Sequence, residues 1–270
     1  TTAAARNIIS GNGSHGIYLE GENPSMTTSN TITGNYIGTD VTGALNIGNG
    51  GNGILVSNGT SNSIGNVLDT AAGNIIAFNA GHGVAIRNGS NRNPINRNRI
   101  FSNGGLGIEL ESAVPGQPTP NDLGDGDTGN NNLQNFPILT LTNGVTSVIS
   151  GTLNSVASTN FVIDLYRTTC DGFGFGEGQT YITSVSATTD ASGNASFSFD
   201  VGGLIEGATA TATSAGVPPE NASTSEFSAC VSNTADLALT HNDSPDPIVA
   251  GQALAYTITV NNTSLTNPAQ

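Results

Sequence analysis

Lysine and tryptophan are absent from this chain of 270 residues, methionine occurs once, cysteine twice, and charged residues make up only 10%. Each shortage excludes something. Without lysine no Lys–Asn isopeptide cross-link can stiffen the chain. All six basic residues are arginines (Arg6, Arg87, Arg92, Arg97, Arg99 and Arg167), set against 20 acids. The resulting net charge of -14 removes nucleic acid as a partner, because phosphate binding needs a basic face. With 5% aromatics, flat platforms for sugar rings are scarce, and Tyr18 and Tyr36 are the candidates. No run approaches the roughly eighteen apolar residues of a membrane-spanning helix, and the first residues lack the charged and apolar regions of a signal peptide.

What is present is glycine, 36 residues of it, with asparagine almost as common and many Ile, Val and Thr. β-branched residues at low charge argue for packed strands, not disorder. Charge is unevenly placed. Residues 1–120 hold five Arg against six acids, a balance of -1, which leaves -13 for residues 121–270 and marks a boundary near residue 120.

The first part repeats itself. Gly-apolar-x-apolar phrases begin at Gly16 (GIYLEG), Gly53 (GILVSN), Gly83 (GVAIRN) and Gly107 (GIELES), with Asn-apolar phrases between them at Asn7, Asn30, Asn62, Asn74 and Asn98. The phrases at 7, 30, 74 and 98 predict coils of about 22 residues, each a pair of short strands joined by Gly-Asn turns. A two-strand unit cannot bury its apolar face alone, so the units must stack in parallel. Stacking puts Ile17, Ile54, Val84 and Ile108 in one inward row, with Leu19, Val56, Ile86 and Leu110 in a second. Tyr18, Leu55, Ala85 and Glu109 then point outward. Asparagine side chains are expected to bond coil to coil where backbone groups lose their partners. The segment YIGTDVTGALNIGNGG should bulge from one coil as a loop.

These repeats resemble the right-handed parallel β-helix family, the fold of pectate lyases, alginate epimerases and many large bacterial surface proteins. SGNGSHGIYL and SNTITGNYIGTD resemble most closely the repeats of long secreted bacterial proteins. The resemblance implies an all-β architecture, a right-handed helix over residues 1–115, and an extracellular or cell-surface location. The chain enters its repeat in mid-unit, which reads as a piece of something longer.

Pro115, Pro118 and Pro120 end the repeat and open a linker over 116–135. Asp122, Asp125 and Asp127 put hard oxygen ligands on a glycine-flexible loop, which suits Ca²⁺, although no twelfth-position Glu completes an EF-hand. The other reading is a plain Asx-turn linker covering the end of the stack.

From 136 to 233, seven strand-like runs (PILTLT, TSVISGT, NFVIDLYR, TYITSVSA, ASFSFDV, GATATATS and SEFSACV) predict an antiparallel β-sandwich. GEGQTYITSVSATTDASGNASFSF and SEFSACV resemble the immunoglobulin-like module that follows such helices in bacterial surface proteins. In an exported protein Cys170 and Cys230 are expected to pair; the other reading is two buried, reduced thiols. Residues 234–270 resemble the start of a DUF11 repeat, on DSPDPIVAGQALAYTITVNN. That run has about three strands, too few for an independent sheet.

Polysaccharide-active β-helices use clustered carboxylates or a calcium site beside a basic residue. The candidates here are His82, Arg87, Glu109 and Glu111. Against them, the slot of His82 also holds His15, Asn52 and Leu106, and a slot that accepts Leu is not held by catalysis. Arg87 opposite Glu111 reads as a cross-strand charge pair. Arg87, Arg92, Arg97 and Arg99 fall within about one coil and suit an anionic glycan or the acidic half of a neighbouring copy. The expected function is a non-catalytic structural or adhesion segment, with a polysaccharide lyase-like enzyme or a carbohydrate-binding module as alternatives.

Overall fold

The computed structural model is all-β and describes residues 6–22, 27–66, 73–110, 116–170, 174–215, 222–232, 237–244, 250–251, 253 and 255–262. The chain divides into two compact units, Thr1–Ser232 and Asn233–Gln270.

The first unit begins with parallel strands laid one on another. Ile17–Glu20, Ile54–Ser57, Val84–Arg87 and Ile108–Glu109 form one sheet, with Ile17, Ile54, Val84 and Ile108 in register. Leu19, Val56 and Ile86 make the next inward row, and Leu110 is buried directly after the last strand. A second parallel sheet holds Ile8–Ile9, Tyr36–Ile37, Ile75–Ala77 and Arg99–Phe101. A third holds Thr31–Ile32, Ser63–Gly65 and Ile95–Asn96. A short fourth pair, Thr27–Thr28 on Gly59–Thr60, joins the first two coils, so among the described residues the coils supply four, four, three and two strands in turn, where two per coil were expected. Rows of Ile and Val from all three sheets share one apolar cluster between them, and burying these aliphatic side chains is the main force holding the coils together.

The spacing of about 22 residues is corrected by the corners. Asn7 stacks on Asn35, 28 residues on; Asn35 on Asn74, 39 on; and Asn74 on Asn98, 24 on. Asn30 instead turns a different corner and stacks on Asn62, which stacks on Asn93. One Asn-apolar phrase serves two corners of every coil, so reading all of them as one corner miscounts the turns.

Corners interrupt the backbone ladder, and asparagine suits them because its amide has both an acceptor and donors. Buried Asn74 shows the pattern. Its Oδ1 accepts from the backbone N–H and the Nδ2 of Asn35 at 3.0 and 3.3 Å. Its Nδ2 donates to Asn98 Oδ1 and to the Ile32 carbonyl, both at 2.8 Å. Asn12, Asn49, Asn79 and Asn103 form another such ladder. Gly38 and Gly65 each have φ of +90°, and a Cβ on either would lie 1.9 Å from a carbonyl of the next coil, so only glycine fits.

The expected loop does leave the second coil. Thr39 bridges to Asn46 in antiparallel fashion. The Asp40 carboxylate accepts from the Thr42 hydroxyl at 2.7 Å and from the Ala44 and Leu45 amides, and these donors, the hydroxyl foremost, pull its pKa down to about 2.

Beyond the linker, Ile138–Asn143, Ser147–Asn154 and Asn194–Asp200 form one antiparallel sheet. Asn160–Arg167, Thr180–Thr188, Gly207–Ser214 and the short Val231–Ser232 form another. The sheets enclose a single apolar cluster that includes Leu139, Ile149, Phe161, Ile163, Leu165 and Phe197. Six of the seven expected runs are strands. The seventh, SEFSACV, has regular strand only from Val231: Ser225 and Ser228 still donate to the Ala212 and Ala210 carbonyls of the neighbouring strand, while Glu226 between them turns to the first half of the chain. Cys170 and Cys230 form a disulfide, Cα to Cα 5.5 Å.

In the second unit Leu237–Ser244 and Ala255–Asn262 pair as an antiparallel hairpin. Two strands are present among the described residues, where about three are expected from the sequence.

Candidate functional site at the end of the stack

A parallel stack has an unsolved problem at its last coil: the N–H groups that would bond to a following coil have none. Here the two-sheet region provides acceptors. Alternation in NFVIDLYR sends Phe161, Ile163 and Leu165 into the two-sheet cluster, and Asp164 and Tyr166 to the opposite face. GATATATS does the same, with Ala208, Ala210 and Ala212 inward and Thr209, Thr211 and Thr213 toward the stack, which is why both faces of that strand are buried.

The bonds follow the open edge in order. The Ile95 N–H donates to Thr224 Oγ1 at 2.8 Å, and the Asn96 side chain to Thr213 Oγ1 at 3.1 Å. The Arg97 N–H donates to Asp164 Oδ2 at 3.2 Å, and Ile100 N–H to the Gly178 carbonyl at 2.9 Å. Asn103 donates its backbone N–H and its Nδ2 to Glu177 Oε1, 3.2 and 3.1 Å away, so a carboxylate ends one asparagine ladder. The Leu110 N–H donates to Glu226 Oε1 at 3.0 Å, and Thr119 N–H to the other oxygen of the same carboxylate at 2.6 Å. Asn131, from the linker, takes the Asn93 N–H on Oδ1 at 2.9 Å and completes the third ladder. Tyr166 and Phe227 belong to the same apolar cluster as Ile100 and Ile108 and close the hydrophobic interior.

Burial governs the electrostatics of this junction. It raises the pKa of Asp164, against the bonds from Ser184 and Arg97. It raises Glu226 to about 7, outweighing its two N–H donors, with Glu109 adding repulsion. Sequence reasoning missed Asp164, Glu177, Thr224 and Glu226. The signal present was an acid in the middle of an otherwise apolar strand, which has to find donors or leave.

The residues expected to carry chemistry are occupied elsewhere. His82 Nδ1 accepts the Leu106 N–H at 3.0 Å; His15 Nδ1 accepts the Asn52 N–H at 3.0 Å; and Asn52 Oδ1 accepts the His82 N–H at 2.9 Å. His and Asn alternate as acceptors for the next coil, and Leu106 stands in the last coil, where no coil follows. Burial lowers the pKa of His82. A depressed pKa means that stability is present above the ordinary value of 6.5 and is lost as pH falls through the folded value. His82→Asn is expected to preserve stability at pH 7 within about 1 kcal/mol and to remove that acid loss, whereas His82→Leu orphans the Leu106 N–H and costs about 1–3 kcal/mol. Urea titrations at about pH 7 and pH 5 measure both.

Arg87, expected opposite Glu111, grips Glu109 diagonally, Nη1 to Oε1 at 3.0 Å and Nη2 to Oε2 at 2.7 Å. Glu111 lies outside the described residues. Of the outward row, Tyr18 is 47% exposed but Ala85 and Glu109 are buried. There the chain returns across the outer face: Asn130 Nδ2 donates to the Leu110 carbonyl, and the shared Glu226 ties Leu110 to Thr119. Arg97 lies over the Tyr181 ring and Arg99 donates to the Gln179 carbonyl, so half of the arginine cluster serves the junction.

Asp122, Asp125 and Asp127 do come together, with one oxygen of each within 4.8 Å of the others. Asp125 accepts from Asn135 N–H and the Ser155 hydroxyl, and Asp122 from Gly126 N–H. Burial and mutual repulsion raise the pKa of Asp125 and of Asp127. No protein-family model matches this chain, and no curated protein is significantly similar to it.

Proposed function

We propose that this chain is a non-catalytic structural or adhesion segment of an extracellular or cell-surface bacterial protein. In this reading the stack is a right-handed parallel β-helix, the two-sheet region an immunoglobulin-like β-sandwich, and the hairpin the start of a DUF11-like module. One observation carries it: the side chains a polysaccharide-active β-helix would need are taken up in holding coils together, His82 as a ladder acceptor and Arg87 as the partner of Glu109. The disulfide supports an oxidising compartment. Incubation with pectate and alginate is expected to release no unsaturated sugar ends; release that Arg87→Ala abolishes refutes the reading.

Carbohydrate binding without turnover is favoured by the exposed Tyr18 ring with His15 beside it, centroids 5.7 Å apart. A glycan array separates it, through hits that Tyr18→Ala removes. Calcium at Asp122, Asp125 and Asp127 belongs to the same proposal, since a divalent ion relieves the mutual repulsion that, after burial, raises two of them. Millimolar CaCl₂ is expected to raise the Tm of the protein over an EDTA control, and Asp125→Asn to abolish that rise; equal Tm values retire the site.

A further inference from the structure

We infer that Ser155 and Gln134 are the two halves of an intramolecular ester cross-link, which the chain forms on itself with Asp125 as the base. The three side chains stand in one hydrogen-bonded row where the linker meets the first antiparallel sheet. Gln134 Nε2 donates to Ser155 Oγ at 2.9 Å, and Ser155 Oγ donates in turn to Asp125 Oδ2. The other oxygen of that carboxylate accepts the Asn135 N–H at 3.0 Å, which fixes its orientation. A hydroxyl set between an oriented carboxylate and a carboxamide is a nucleophile with its base and its electrophile in place. Ser155 is fully enclosed, and Gln134 is 5% exposed. Water is thereby kept from the amide and from an ester formed there. Holding the reacting groups this close gives an effective concentration of about 10⁵–10⁸ M for a well-aligned pair. Gln134 belongs to no asparagine ladder, and its Nε2 has the Asn135 carbonyl, 3.3 Å away, as its other acceptor.

Atoms balance without a co-reactant. Ser155 Oγ bonds to Gln134 Cδ, its proton moves to Asp125 and on to the departing nitrogen, and the Cδ–Nε2 bond breaks to release ammonia. The product is a Ser–Gln ester closing a loop that contains both strands of the hairpin Ile138–Asn143 and Ser147–Asn154. It ties the linker, where Asn131 completes a ladder of the stack, to the end of the second of those strands. A chain without lysine gains in this way a cross-link beside its disulfide. The inference goes beyond the structural reading above and depends neither on it nor on calcium at Asp125.

The test is intact-mass spectrometry of the folded protein, purified and kept in EDTA so that no divalent ion occupies Asp125. A mass about 17 Da below that of the sequence is expected, for the loss of one ammonia, with a digest giving one pair of peptides joined through residues 134 and 155 and hydroxylamine opening the link. Ser155→Ala should carry the full mass, and Asp125→Asn should form the link about a hundredfold more slowly, the fold of each being checked by circular dichroism. A wild-type mass equal to that of the sequence overturns the inference, whether or not either variant folds. So does a deficit that survives Ser155→Ala, as a succinimide at an Asn–Gly step would. Linkage at an unchanged rate in Asp125→Asn overturns the assignment of the base.

Discussion

Replacing Asn74 by alanine is expected to lower the unfolding free energy of the Thr1–Ser232 unit by about 3–5 kcal/mol in chemical denaturation. The side chain is fully buried, and its loss touches groups in the coils on either side. Asn35 loses the acceptor of its backbone N–H, the Ile32 carbonyl loses a donor, and Asn98 Oδ1 loses one of its two. Each orphaned buried group carries a desolvation penalty of about 1–3 kcal/mol, while the small cavity adds a further cost. Asn74→Asp should be nearly as damaging, because a carboxylate has no Nδ2 to give to the Ile32 carbonyl. At the exposed head of a ladder the same chemistry is cheap: Asn12→Ala, which water can compensate, should cost no more than about 1 kcal/mol. Equal losses at Asn12 and Asn74 would show that the ladders do not distinguish interior from end.

Stability is expected to fall by about 3 kcal/mol as pH rises from 4.5 to about 7, on account of Glu226. The sign follows from a folded pKa raised above the unfolded one. Below pH 4.5 the group is protonated in both states and the full stability is present. Between the two values the unfolded chain ionises while the junction holds its proton, so every pH unit gained favours unfolding, until the folded pKa is passed. Asp164, also raised by burial, acts in the same direction, with Ser184, Arg97, Asn96 and Tyr166 as the groups around it. His82 acts in the opposite direction, and the two are separable by variant. Glu226→Gln is expected to flatten the limb below pH 7 and to leave the His82 loss intact. A limb of undiminished size in Glu226→Gln assigns the effect elsewhere, since Asp164 alone leaves only a part of it. Removing the side chain altogether, in Glu226→Ala, orphans the Leu110 and Thr119 amides and should destabilise the unit at every pH.

The rows of the stack were legible because burial repeats them. Ile17, Ile54, Val84 and Ile108 occupy equivalent places, each must be apolar, and glycine marks the turn before each. The number of strands per coil was not legible, since the strands at two of the faces are two or three residues long and leave almost no alternation to read. The His82 slot was understood for half of the right reason. Leu106 does break the pattern, but it does so as the last member of an acceptor ladder, a fact available only once the final coil is located. The junction was hidden for a different reason. Asp164 and Glu226 bond to amides more than sixty residues away in sequence, and no local pattern encodes that partnership. The boundary near residue 120 marks a change in composition more than a change in structure, because Asn131 in the linker finishes a ladder begun at Asn30.

Asparagine bridges the corners of the coils, and the carboxylates of Asp164, Glu177 and Glu226 close the last edge. Residue-resolved amide hydrogen exchange tests this most directly. The amides of Asn103 and Leu110, at the last edge, should be as strongly protected as those of Asn74 and Asn79 in the interior, and all four should lose protection together near global unfolding. Fast exchange at Asn103 and Leu110 beside slow exchange at Asn74 would contradict it, for the stack would then end in open, unpaired backbone.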